Sequence, residues 1–361
     1  MDLFLNKEEI QNLLGEKKRI LVTGGAGFIG SALIRKLLDS SNAKIFNVDK
    51  LNYASDLSSI QFLKKKIFNF EKRYKFINLD LSNLKKTQEV LEYCKPDLIF
   101  HLAAESHVDK SINSPREFLK SNIIGTFNLL ESVKVLLKSY PPSRKNIFRL
   151  HHVSTDEVFG EILDNSKFEE SSRYDPRSPY SASKASSDHL IRAWFHTFEI
   201  PIIITNCSNN YGPWQYPEKL IPLVINNSLI NKKIPIYGDG SNVRDWLYVY
   251  DHIDALLLSS NKGKLGETYC IGGNEAITNI ELVKIICAIL DEINPKKFLH
   301  KDLIDFVNDR PGHDKKYSIN TTKIKLELGW RNKISLKDGL RKTIEWYLKN
   351  KKWLSQKKII N

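Results

Sequence analysis

Residues 19–40 read RILVTGGAGFIGSALIRKLLDS. A short apolar run leads into paired glycines, and a helical apolar spacing follows, which predicts a buried strand, a tight turn and a helix. Gly25, Gly27 and Gly30 satisfy G-x-G-x-x-G, while Gly24, Gly27 and Gly30 satisfy T-G-x-x-G-x-x-G from Thr23. Glycines alone can simply end a strand. Here they end a strand, open a helix and begin a βαβ pattern, the context in which backbone N–H groups and a helix N-terminus can approach a pyrophosphate. Asp49 closes the next strand, KIFNVDK, about 20 residues beyond the glycines. A carboxylate there accepts both ribose hydroxyls and repels a 2′-phosphate, so NAD is expected over NADP. Lys50 beside it is the residue that can still tolerate a phosphate.

Outward from this unit the alternation continues. KFINLDL is a strand, LKKTQEVLEYCK a polar helix, DLIFHLAA a strand, FLKSNIIGTFNLLESVKVLLK a long helix, and NIFRLHHVS a strand. YSASKASSDHLIRAWFHTF then has helical spacing and PIIITNCSN is a further strand. Strands separated by helices predict an α/β, Rossmann-type, doubly wound parallel sheet. Beyond it, Pro- and Gly-containing loops alternate with short elements, as suits a smaller C-terminal substrate lobe. The expected division is an extension over 1–17, an NAD-binding domain over 18–205 completed by part of 243–275, and a mainly substrate-binding lobe over 206–353.

At 361 residues, 41% hydrophobic and 27% charged, the chain has an ordinary globular composition. No apolar run is long enough to span a bilayer. The first 19 residues mix acidic with apolar positions, unlike a secretory signal, and suggest a short amphipathic helix. Cys94, Cys207, Cys270 and Cys287 are far apart, which predicts free thiols and a cytoplasmic protein. The 55 basic residues against 42 acidic give +13, but lysines are scattered through the chain. A compositional bias toward Lys, together with a small anionic substrate, accounts for them better than nucleic acid or a membrane surface.

Two stretches carry chemistry. YSASK sets Tyr180 and Lys184 one helical turn apart, and a tyrosine acts as a base near neutral pH only where cations stabilise its phenolate. HHVSTDEVFG, residues 151–160, ends a strand with Thr155 and then places Asp156 beside Glu157. Two carboxyls crowded into a desolvated site cannot both ionise easily, so one stays an acid while the other is a base. Which of them keeps its proton is open at this level. His151 and His152 face opposite sides of a strand and have no further ligands at suitable spacing, so no metal site is expected.

Taken together, TGGAGFIGS, NVDKLNYA, HLAAESHVDKSI, HHVSTDEVFG, SPYSASKASSDHL, NCSNNYGP, KLIPLVI, RDWLYV and DRPGHD resemble the extended short-chain dehydrogenase/reductase family. More narrowly, the chain is similar to the dTDP-glucose 4,6-dehydratase family from about residue 18 to 353. The resemblance implies a lyase that oxidises sugar carbon 4, removes water across carbons 5 and 6, and returns hydride to carbon 6. Thr155 and Tyr180 would attend the carbon-4 oxygen with Lys184, Glu157 would take the carbon-5 proton, and Asp156 would donate to the departing hydroxyl.

The resemblance also implies NAD contacts at Gly24, Gly27, Phe28, Ile29, Gly30, Asp49, Lys50, Leu51, Asn52, Asp80, Leu81, Leu102, Ala103, Ala104, Ser106, Ser121, Tyr180, Lys184 and Asn209. The nucleotide sugar would be held by Ser106, Thr155, Asn209, Asn210, Lys219, Leu220, Pro235, Tyr237, Arg244, Asn279, Arg310 and His313. Arg244 and Arg310 suit a diphosphate, although each can equally be a surface ion pair, Arg244 with Asp245 for instance. Ser121 stands where the family usually has Thr, and Tyr250 where it commonly has Glu. A homodimer through the helices near 115–138 and 180–198 is a further implication. The competing readings are an epimerase, decarboxylase or dehydratase acting on a UDP- or GDP-sugar, and an NAD-sensing protein without turnover.

Overall fold

The computed structural model describes residues 4–164 and 166–357. Seven strands form its central sheet: β1 (Arg19–Thr23), β2 (Lys44–Asp49), β3 (Tyr74–Asn78), β4 (Leu98–His101), β5 (Arg149–Thr155), β6 (Ile202–Cys207) and, later in the chain, Thr268–Ile271. Between β6 and that last strand come β7 (Asn209–Tyr211), β8 (Ile234–Tyr237) and β9 (Val243–Tyr248), so Thr268–Ile271 is β10. The order is β10-β6-β5-β4-β1-β2-β3, with every adjacent pair parallel. This is the expected doubly wound α/β sheet.

Its strands are apolar on both faces because helices cover both. Along β1, Ile20 and Val22 enter one core with Leu33, Leu37, Ile253 and Leu257, while Leu21 enters another with Phe46, Ile99, Leu129 and Val133. Strand order reverses at β1, which pairs with β2 on one side and β4 on the other. At such a switch point the flanking crossovers diverge to opposite faces and leave a crevice at the strands' carboxyl ends.

A third apolar core unites Tyr211, Val224, Ile225, Leu282, Ile286, Leu290, Leu340, Ile344 and Tyr347. Around it lie a three-stranded sheet, in which β9 sits between β7 and β11 (Ala276–Thr278), and the pair of β8 with β12 (Ile304–Val307). Leu220 and Trp246 bring this lobe to the edge of the crevice.

The helix expected over 118–138 is not uniform. Residues Leu119–Ile124 form a π-helical turn before the α-helix Gly125–Ser139. The widened turn presents Ser121 to the crevice and turns Asn122 inward, where its Nδ2 donates to the Glu105 carbonyl and the Ser183 hydroxyl.

Residues 4–14 of the N-terminal extension are docked. Asn6 and Glu9 form a capping box for the helix Lys7–Leu14, and Ile10 and Leu14 are buried in the main core. The Leu5 N–H donates to Asp254 at 2.9 Å, and the Phe4 ring lies 5.9 Å from Tyr250 and 6.4 Å from Tyr248. Tyr250 thus has a physical role as a wall of the seat for this extension. Among the described residues no helix is long and apolar enough to cross a membrane.

Candidate active site

At the mouth of β1, Gly24 adopts φ +68°, and a Cβ there would come within 2.7 Å of the Ala103 nitrogen at the end of β4. Only glycine allows that turn and that approach. Gly27 caps the helix Phe28–Ser40 without a side-chain hydrogen bond, so the amides of the first turn are offered to a ligand. A Cβ on Gly30 would meet the Gly24 carbonyl oxygen at 2.3 Å, so glycine there lets the helix sit close to the turn.

Asp49, at the tip of β2, is held by three donors: the Ala26 N–H at 3.0 Å, the Leu51 N–H at 2.8 Å and the Ser55 hydroxyl at 3.1 Å. Lys50 turns away to Glu105 and the Ser121 hydroxyl, each at 2.6 Å. The residue that could have welcomed a 2′-phosphate is therefore neutralised by a carboxylate. The uncapped helix end and the aimed carboxylate fit a dinucleotide whose ribose carries free hydroxyls.

These groups open into one cavity of about 370 Å³ that runs from Gly24, Gly27–Gly30 and Asp49 past Leu102–Ala104 and Ser106 to the ends of β5 and β6. At that far end it is lined by Thr155, Asp156, Glu157, Tyr180, Lys184, Asn209, Asn210, Lys219 and Leu220. Lys50, Asn52, Asp80, Leu81 and Ser121 line it as well. Residues separated by up to 222 positions thus meet along one channel, since Gly24 and Trp246 both border it.

β5 ends in Thr155, whose hydroxyl accepts from the Glu157 N–H at 3.3 Å and so starts the 3₁₀ turn Asp156–Phe159. That turn brings both carboxylates into the channel. The Thr155 hydroxyl also lies 3.3 Å from Asp156 Oδ1, and Asp156 Oδ2 is buried without a partner among the described residues. Burial pushes the Asp156 carboxyl well above the usual range, aided by the neighbouring Glu157 and Asp245 charges. Glu157 is also raised by burial, but Arg310, Lys219 and Arg244 pull it back. The two carboxyls therefore separate, with Asp156 favouring the protonated state.

Tyr180 opens the helix Pro179–Phe198, where Ser178 supplies the N-cap. Burial raises its phenol well above 10, with Glu157 adding to the effect and an interaction with the Thr155 hydroxyl opposing it. Lys184 is buried one turn on and donates to the Val153 carbonyl at 2.9 Å.

The remaining expected positions form a second group that does not border this cavity: Leu51, Pro235, Tyr237, Arg244, Asn279, Arg310 and His313. Arg244 is buried and makes no pair with Asp245. It donates to the Val243 and Asp314 carbonyls at 2.8 Å and lies over the Tyr317 ring at 4.3 Å. Arg310 pairs with Asp109 at 2.9 Å, and the Tyr237 hydroxyl reaches the same carboxylate at 3.4 Å. His313 bonds Asp309 at 2.6 Å. Pro235 lies on β8 opposite Asp305, and Asn279 Oδ1 is buried without a partner among the described residues.

The channel also has walls the sequence did not reveal: Ser154, Cys207, Ser208, Gln215, Tyr216, Glu218 and Trp246. Glu218 accepts from the Tyr53 hydroxyl at 2.9 Å, and its neighbour Lys219 donates to the Ser106 carbonyl at 3.0 Å. These contacts tie the loop after β7 to those after β2 and β4. Its position just before the KLIPLVI stretch was the available signal for Glu218.

Residues 21–343 match the family described as GDP-mannose 4,6 dehydratase. The dTDP-glucose 4,6-dehydratase of Neisseria meningitidis is 50% identical over 341 residues, 93% of this chain and 95% of that one. That of Salmonella typhimurium is 48% identical over 349 residues, 94% and 95% of the respective chains. Among solved structures, the dTDP-glucose 4,6-dehydratase DesIV of Streptomyces venezuelae, a double mutant with NAD and DAU bound, superposes with a TM-score of 0.84. It is 39% identical and covers 94% of this chain and 100% of that one. The Bacillus anthracis dTDP-glucose 4,6-dehydratase in complex with NAD gives 0.81 at 41% identity, covering 94% and 99%. With the glycine cradle, the paired carboxylates and the Tyr–Lys helix meeting in one channel, the chain belongs to this family of sugar-nucleotide 4,6-dehydratases, among the dTDP-glucose enzymes.

Proposed function

We propose that the protein converts dTDP-glucose to dTDP-4-keto-6-deoxy-glucose, a hydro-lyase reaction that uses NAD without consuming it. The observation that carries this reading is the meeting of Asp156 and Glu157 with Thr155, Tyr180 and Lys184 in the channel that also holds the glycine turn and Asp49. An oxidation and reduction at one carbon needs no carboxylate pair; removal of a proton and a hydroxyl from adjacent carbons needs both an acid and a base.

Backbone amides of Phe28–Gly30 would hold the pyrophosphate, and Asp49 the adenosine ribose. Bound NAD supplies the hydride acceptor for carbon 4, the hydride donor for carbon 6, and a positive ring charge that favours the Tyr180 phenolate. Tyr180, with Lys184 beside it, takes the proton of the carbon-4 hydroxyl, and Thr155 donates to that oxygen. The ketone so formed acidifies the carbon-5 proton, which Glu157 removes as the carboxylate kept more ionised by Arg310, Lys219 and Arg244. Asp156, held protonated by burial beside Glu157, delivers its proton to the leaving hydroxyl of carbon 6.

Arg244, Arg310, Asn279, Tyr237, Pro235 and His313 are assigned to the diphosphate and nucleoside beyond the reacting sugar. Arg310 would then exchange Asp109 for phosphate oxygens. The smaller lobe is accordingly read as the substrate-binding part. Exposed Leu119, Ile124, Val135 and Phe198 on the contacting helical segments 119–139 and 179–198 support a homodimer built on that face. Four free, buried cysteines support a reducing, cytoplasmic setting. Mass spectrometry of the product tests the reading: dTDP-glucose should lose one water, whereas an epimerised product of unchanged mass, or no turnover of any sugar nucleotide, contradicts it.

A further inference from the structure

Behind the catalytic strand lies a carboxylate to which the reaction gives no part. Tyr180, Lys184 and Asp188 recur at four-residue spacing along the helix Pro179–Phe198 and so share one face. Asp188 is completely buried. A charge so placed persists only among donors, and it collects them from several elements. His152 Nε2 on β5 stands 3.0 Å from Oδ1. The Ser154 hydroxyl donates to Oδ2 at 2.8 Å, the Tyr174 hydroxyl at 2.9 Å, and Asn206 Nδ2 on β6 is 3.5 Å away.

Because an ionised carboxylate only accepts, His152 carries its proton on Nε2. Lys184 Nζ, 3.5 Å from that nitrogen, gains no acceptor there and relies on the Val153 carbonyl at 2.9 Å. The Asn206 amide also donates to the Thr155 carbonyl at 3.0 Å. The carboxylate thus grips β5 at His152 and Ser154, reaches Thr155 through Asn206, and sits one turn from the lysine.

We propose that Asp188 is a positioning residue for the dehydration: it fixes the catalytic end of β5 against the Tyr–Lys helix and serves as the counter-charge of the Lys184 ammonium. The proposal rests on the role given to Lys184 above. The titratable groups facing this pair are Arg192 on the same helix, which reaches the Tyr174 hydroxyl at 3.0 Å, His152 on β5, His101 on β4, Cys207 on β6 and Tyr174 itself. Burial keeps both histidines neutral, pushes the Cys207 thiol up to about 12 and raises the Tyr174 phenol. Of these groups Asp188 alone is anionic. Burial works against the charge on Lys184, and Asp188 opposes it. Without the anion, Lys184 releases its proton at a lower pH.

The test is kcat for dTDP-glucose across pH in the native enzyme, Asp188→Asn and Asp188→Glu, with NAD content measured for each. Asp188→Asn should retain NAD, while its activity at pH 9 relative to pH 7 falls about ten-fold or more below the native ratio, because Lys184 loses its proton at lower pH. Asp188→Glu keeps the charge but pushes it toward β5, so its alkaline limb should stay in place while kcat drops several-fold at every pH. A native pH profile in Asp188→Asn, or a native kcat in Asp188→Glu, overturns the proposal, and the second outcome decides it even where the Asn variant does not fold. Failure of the native enzyme to turn over dTDP-glucose overturns the functional reading instead.

Discussion

Replacing Asp156 by Asn removes a transferable proton and almost nothing else. The carboxyl is buried, flanked by Glu157 and favoured in its neutral form, so an amide of the same shape meets the same surroundings. Proton delivery to a leaving group by a placed acid accelerates a step by about 10² to 10⁴. At about 1.36 kcal/mol per factor of ten, the variant should lose about 3 to 5 kcal/mol of transition-state stabilisation. Oxidation at carbon 4 and proton removal at carbon 5 use Tyr180 and Glu157, so both should survive.

Rapid mixing with dTDP-glucose should therefore show reduced-nicotinamide absorbance rising and persisting, together with exchange of solvent deuterium into carbon 5, while product accumulates at least about a hundred-fold more slowly. The stability effect has the opposite sign. A carboxyl whose folded pKa is raised costs stability as pH climbs from the unfolded value near 3.9 toward the folded one. Asp156→Asn should then melt no lower than the native protein at pH 7, and the difference should shrink toward pH 4. Native kcat, or loss of the oxidation signal together with the product, would refute the assignment of Asp156 as the acid.

Two other outcomes follow from the geometry. Gly30→Ala drives a methyl to 2.3 Å from the Gly24 carbonyl oxygen and 2.8 Å from Gly25 Cα, so the turn must yield. A loss of about 1 to 3 kcal/mol in stability is expected, with purified protein depleted of NAD; native melting and full NAD content would contradict it. Acid should also unfold the protein early, because His151, His152 and His252 are buried with pKa values lowered to about 3, 4 and 3. For a depressed histidine, stability is complete above the unfolded pKa near 6.5 and is lost as pH falls toward the folded value. At pH 5 each costs on the order of 2 kcal/mol, so the melting temperature should fall steeply between pH 6.5 and 5, and a flat profile over that range would refute it.

The strand-turn-helix unit was legible because its signals are local: an apolar run, glycines at fixed offsets, an acid at the end of the next strand. Tyr180 and Lys184 were legible for the same reason, since one helical turn brings them together whatever surrounds them. The division of labour between Asp156 and Glu157 was not, because it depends on Asp245, Lys219, Arg244 and Arg310, which the fold assembles from far along the chain. The places of Gln215, Glu218 and Trp246 on the channel wall were not legible, because loops and a three-stranded sheet impose no period on their sequence, and Trp246 in its apolar setting reads as core. The π-helical turn at Leu119–Ile124 escaped because an apolar spacing read over 20 residues looks the same with one wider turn within it. The seat of Phe4 and Leu5, ahead of the N-terminal helix, on Asp254, Tyr248 and Tyr250 joins segments about 250 positions apart, as the 249-residue span of the Leu5 to Asp254 bond records.

All of these roles converge on one sugar ring that is oxidised, dehydrated and reduced without leaving the channel. Incubating the protein with dTDP-glucose bearing deuterium at carbon 4 and following the label by mass spectrometry and NMR tests this directly. The account predicts 4-keto-6-deoxy product with the deuterium at carbon 6 of the same molecule. Label lost to solvent, retained at carbon 4, or passed between molecules in a mixed-substrate experiment would contradict it.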